Sequence, residues 1–116
     1  MLPPGFLGEL PGNLSPRAKR DLIGILRYSA REFGAATARR SRDRLLERVK
    51  AIASGVAVGH RRHDVMLKVP TLFLVEPPWV IAYHPVTRRI YRVLHGAMDF
   101  PALFPPPDPT GQPPDR

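Results

Sequence analysis

The chain has no cysteine among its 116 residues. That excludes a disulfide-stapled fold, a cysteine-ligated zinc or iron–sulfur centre, and a thiol nucleophile. Acid is scarce: ten Asp and Glu stand against eighteen Lys and Arg, a net charge of +8. Long apolar runs are missing too. The most apolar stretch, Val69 to Tyr83, is broken by Pro70, Glu76, Pro77 and Pro78. No run approaches the ~18 residues that cross a bilayer. The opening residues, MLPPGFLGELPGNL, carry neither a basic segment nor a continuous apolar one, so a cytoplasmic protein with no membrane partner is expected. No phosphate-binding glycine loop, HExxH pair or Ser/His/Asp order stands out, so a metabolic enzyme with a small-molecule substrate or a cofactor is not expected.

What is present is enough for one folded unit. Hydrophobic residues make up 43% of the chain, and its length suits a single core. Fifteen of the eighteen basic residues are Arg, which predicts a polyanionic or acidic partner. Of the fifteen prolines, nine fall within residues 1–13 and 105–116. Residues 1–13 read as an irregular arm with a short edge strand at Phe6–Leu10. Residues 105–116, PPPDPTGQPPDR, hold six prolines and almost nothing apolar, and read as a flexible, disordered Pro-rich tail. The folded domain is expected over 14–104.

Within it, Ser15-Pro16 predicts a helix start, with Ser at the N-cap and Pro at the first helical position. Ala18, Leu22, Ile25, Leu26, Ser29 and Phe33 then recur at spacings of three and four, one helical stripe. Gly34 is placed to stop that helix in a left-handed conformation. A second helix fits 35–53, with Ala38, Leu45, Leu46, Val49, Ile52 and Ala53 on one face and Gly55 ending it. From Gly59 the period changes. Met66–Val69, Thr71–Val75, Trp79–His84 and Arg89–His95 are β-branched or aromatic runs separated by short turns, which predicts an antiparallel meander. The expected class is α+β: a two-helix hairpin packed on a small antiparallel sheet, in the order β-α-α-β-β-β.

Leu14-Ser15-Pro16-Arg17-Ala18-Lys19-Arg20-Asp21-Leu22, Gly34-Ala35-Ala36, Gly59-His60-Arg61-Arg62, Val80-Ile81-Ala82-Tyr83-His84-Pro85 and Ile90-Tyr91-Arg92-Val93-Leu94-His95-Gly96-Ala97-Met98-Asp99 follow one another in order. That series resembles the RelE/ParE superfamily of bacterial type II toxin–antitoxin toxins, on the ParE side, over about 14–104. The resemblance implies a toxin neutralised by a cognate antitoxin, an acidic protein partly disordered until bound, with DNA gyrase as target. RelE-type relatives instead cut mRNA on the ribosome with Arg, Lys and a C-terminal Tyr or His. After Asp99 this chain offers only Phe-Pro-Ala-Leu-Phe and the tail. A catalytic set would have to come from Arg88, Arg92 and His95, so a non-enzymatic toxin is expected and a ribosome-dependent mRNA endonuclease is the alternative. A basic nucleic-acid-binding module is the third reading.

Arg39, Arg40, Arg42, Trp79, Arg89, Arg92, His95 and Asp99 are the candidate contacts to antitoxin or target. For the cluster Arg39, Arg40, Arg42 and Arg44, a solvated helix face and a contact with an acidic antitoxin are both open. Trp79 reads as core or as a partner anchor, and His95 as a hydrogen-bonded strand-end residue or as an acid–base group. His60, His63 and Asp64 have a metal-like spacing, but Arg61 and Arg62 between them repel a cation, so no metal is expected.

Overall fold

The computed structural model describes Leu2, residues 5–62 and residues 69–96. Helix α1 spans Pro16–Phe33 and α2 spans Ala35–Ser54; strands β1 (Leu72–Glu76), β2 (Trp79–Tyr83) and β3 (Ile90–His95) follow. The start of α1 is as its residues predict: Ser15 Oγ accepts from Ala18 N–H at 3.0 Å, and Pro16 fills a position whose missing amide costs nothing. Gly34 differs from expectation. Its φ is +90° but its ψ is 164°, so it is extended rather than left-handed helical. One residue thereby ends α1 and begins α2, a backbone only glycine adopts easily. Gly55 does take the left-handed form, at φ 82° and ψ 3°.

The strands form one antiparallel sheet in the order β1-β2-β3. Pro77 and Pro78 make the tight connection between β1 and β2, and the peptide between them is cis. In β3, Tyr91 is an extra residue: Ala82 pairs with Arg92 and Tyr83 with Ile90. Such a bulge re-aims the side chains on either side of it. Burial pushes the Tyr91 phenol above its ordinary pKa of 10.0.

Alternation then sorts the sheet residues. Ile81, Tyr83, Ile90 and Val93 join Leu22, Leu26, Leu45, Val49 and Ile52 of the helices in the main core. Phe73, Val80, Ala82 and Leu94 form a second buried cluster. Each fully buried Leu or Ile contributes about 2 kcal/mol, which is why the helical stripes decide how the hairpin sits. The stripes end sooner than their periodicity suggests: Phe33 is 64% exposed, and Ala53 also faces solvent.

The leading strand is the main difference from the expected order. Phe6–Leu10 is not a strand. Gly5 and Gly8 have positive φ, and Gly8 N–H donates to Gly5 C=O at 2.9 Å in a turn. Phe6 instead packs into the main core, with Leu7 and Leu10 against it. Strand pairing survives at one point, a parallel bridge from Leu14 to Ile90, with Ser15 N–H donating to Ile90 C=O at 3.0 Å and Ile90 N–H to Asn13 C=O at 2.7 Å. Pro11 and Gly12 precede this point and do not sustain a ladder. The expected strand at Met66–Val69 and the tail at 105–116 lie outside the described residues, apart from Val69, which is in no strand.

Candidate functional site

An open groove of about 600 Å³ runs between α1 and the end of the sheet. Its α1 wall is built from Arg20, Asp21, Gly24, Ile25, Tyr28 and Phe33, and its sheet wall from Pro78, Trp79 and the Arg92–His95 segment. From Arg20 to Tyr28 these α1 positions recur at three and four, so one helix face supplies them, and Phe33 closes the groove at the end of the helix. Trp79 and His95 are register partners on adjacent strands. Their rings meet edge to face at 5.4 Å and 90°.

Asp21 holds the two walls together. Its carboxylate accepts from Arg92 Nε at 2.7 Å and Arg92 Nη2 at 3.1 Å. It also accepts from Val93 N–H at 3.0 Å. Arg17 approaches one turn away at 3.8 Å. The Asp21 and Arg92 side chains are only 12% and 21% exposed. A bidentate, charge-assisted pair in that setting has fixed geometry. Arg92 is therefore committed to α1 and not presented to a ligand.

The other candidates divide between the groove and elsewhere. Trp79 and His95 line the groove with Arg92. Arg39, Arg40 and Arg44 are exposed on α2, with Arg40 Nη2 donating to Thr37 Oγ1 at 3.0 Å. Arg42 turns inward from that cluster. Its guanidinium lies 5.0 Å from the Phe6 ring centroid, donates to Phe6 C=O at 2.5 Å, and pairs with Asp43 at 2.9 Å. It fastens the N-terminal arm. Arg88 sits in the turn before β3 at φ +62°, with its guanidinium against Gly55. Arg89 is exposed beside it. Asp99, His63 and Asp64 lie outside the described residues. His84 ends the sheet rather than lying on it: its Nδ1 accepts from Val86 N–H at 3.0 Å and Thr87 N–H at 3.2 Å.

Arg88, Arg92 and His95 do not converge. Arg88 precedes β3 and His95 closes it. Seven residues of strand separate their backbones by roughly 20 Å, and Arg92 between them is neutralised by Asp21. Asp21, Arg20 and Tyr28 carry no expected role from the sequence, and Phe33 is expected in the apolar stripe of α1, not in the groove. For Asp21 a signal existed: it is the single acid between Ser15 and Arg31, among five cations.

A small basic α+β domain with an open, largely apolar groove and a cationic rim is of the class that contacts a macromolecular partner. The chain belongs to the ParE toxin family of type II toxin–antitoxin systems (parDE), whose family model matches residues 13–100. Membership implies a cognate antitoxin as partner. No curated protein matches the chain. No helix among the described residues is long and apolar enough to cross a membrane.

Proposed function

We propose that this toxin acts by binding DNA gyrase and stalling it on cleaved DNA, without catalysing a reaction, and that its antitoxin neutralises it by laying an acidic, amphipathic segment along the groove between α1 and β3. The absence of catalysis is supported by the dispersal of Arg88, Arg92 and His95, with Arg92 held by Asp21 at 2.7 Å, and gyrase as target by membership of the ParE family. Cleavage of RNA through the ribose 2′-OH needs a base and cations gathered on one phosphate, and this arrangement does not gather them. The second half is supported by charge. Arg20 and His95 border the groove, Ile25, Tyr28 and Trp79 give it an apolar floor, and the whole chain carries +8. That suits a peptide whose apolar side chains bury while its carboxylates face cations.

Controlled expression in bacteria without the antitoxin tests the target. The expected result is growth arrest with induction of the DNA-damage response, and inhibition of supercoiling by purified gyrase. Rapid loss of mRNA with gyrase activity intact would overturn the proposal in favour of ribosome-dependent RNA cleavage.

A further inference from the structure

The arginines of α1 are not spread around it. At about 100° per residue, Arg17, Arg20, Arg27 and Arg31 fall within an arc of about 80° and extend over about 21 Å. All four are exposed. Gly24 lies midway along the stripe and within the same arc, and the space where its Cβ would be is open, so the stripe has a gap there. Tyr28 stands at its border, about 20° beyond Arg17, and Phe33, further round the helix, packs against Tyr28. Tyr28 is 48% and Phe33 64% exposed, and their rings meet edge to face at 6.3 Å. The Arg31 guanidinium lies 5.7 Å from the Tyr28 ring centroid. Arg20, Gly24, Tyr28 and Phe33 also line the groove, with Trp79 on its far side.

We propose that this face of α1 binds single-stranded nucleic acid, with the sugar-phosphate backbone along Arg17, Arg20, Arg27 and Arg31 and bases stacked on Tyr28 and Phe33. A cationic track supplies salt-dependent, sequence-independent affinity. Exposed aromatic faces beside such a track select unpaired bases over a duplex. The α2 cluster of Arg39, Arg40 and Arg44 is equally exposed, but α2 itself carries no aromatic residue, so the two helices differ in what they hold. The site does not depend on gyrase as target, because it predicts binding by the toxin alone; it shares Arg20 and Tyr28 with the groove assigned to the antitoxin, so antitoxin and single strand compete for it.

Fluorescence anisotropy of a labelled twelve-nucleotide oligothymidylate, titrated with the full chain between 25 and 200 mM salt, tests it. With four phosphate contacts, the slope of log K against log salt is expected near −3, at about −0.7 per contact. The Arg20→Ala/Arg27→Ala double variant should about halve that slope. Tyr28→Ala should weaken binding at least about fivefold, the low end for one stacked base, with the slope unchanged. A duplex of the same length should be indifferent to Tyr28→Ala. The α2 variant Arg39→Ala/Arg44→Ala should change affinity for the single strand less than twofold. All substituted residues are on the surface, and circular dichroism verifies each fold. Equal losses from the α1 and α2 variants, no effect of Tyr28→Ala, or no binding at 25 mM salt would each overturn the proposal. So would equal competition by poly-glutamate of matched charge, which would show attraction to any polyanion with no part played by the bases.

Discussion

At the β3 edge of the sheet, beyond the Leu14–Ile90 backbone bridge at its start, Asp21 reaches across from α1 and accepts Val93 N–H at 3.0 Å while gripping Arg92. At the β1 edge the closure is made of backbone: His60 and Phe73 exchange both N–H···O=C bonds at 2.8 Å. Gly59, just before, donates its N–H to Tyr83 Oη at 2.6 Å. Arg48 and Glu76 add an ion pair at 2.7 Å from α2 to the end of β1. Both edges of a three-stranded sheet need blunting, because an open edge recruits other chains. The difference lies in what each closure leaves accessible. A backbone pair occupies the β1 edge with main chain. Past the Leu14–Ile90 bridge, a single carboxylate meets β3 at one amide and leaves a groove beside it, and that is the side where the exposed aromatic rings and the α1 arginines stand.

The comparison breaks most sharply at Asp21. Asp21→Ala strands the largely buried guanidinium of Arg92 and the Val93 amide, and should cost about 3 kcal/mol. Chemical denaturation of the purified chain measures it. The double variant Asp21→Ala/Arg92→Met removes the charge with its partner and should recover part of that loss. If the single and double variants are equally unstable, the clasp holds the walls by shape and not by charge. Gly59→Ala attacks the other edge. A Cβ there would lie 2.5 Å from Phe73 O and 2.7 Å from Phe73 C. Backbone has to move, at about 2 kcal/mol on the scale of overpacking. Hydrogen exchange should then quicken at Phe73 while Val93 stays protected. Faster exchange at both would mean the two edges are not separate closures.

How much of this was readable from residues alone follows from the range of each interaction. The helices were legible because their signals are local: Ser15-Pro16 caps α1, and Ala18, Leu22 and Leu26 mark its buried stripe within one element. The three strands follow from the alternation of Leu72 to His95, and the family from an ordered series of short segments. The arm was misread because Phe6–Leu10 has strand-like composition, while its course is set by a cation–π contact with Arg42, thirty-six residues away. The groove was half legible. Trp79, Arg92 and His95 stand out as residue types, but nothing local says that Asp21 and Arg92, seventy-one apart, will meet. The α1 periodicity counts Phe33 in the stripe, yet Phe33 and the neighbouring Tyr28 stay in solvent while Ala18, Leu22, Leu26 and Ser29 of the stripe are buried.

Ser15 gives the finest probe of the β3 side. Its Oγ accepts from Ala18 N–H at 3.0 Å and lies 3.1 Å from Tyr91 C=O, to which the hydroxyl donates. One hydroxyl thus caps α1 and ties it to the bulge residue of β3. Ser15→Ala should cost about 1 kcal/mol through the cap, and the loss of the second bond should show separately as faster exchange near Tyr91. Ser15→Asp distinguishes the two roles: a carboxylate caps the helix and favours its N-terminus, but it has no proton to give Tyr91 C=O. Stability restored to wild type by Ser15→Asp, with exchange near Tyr91 still fast, would show that the cap carries the stability and the strand tie only the local order. Stability lost in both variants alike would place the energy in the contact with β3.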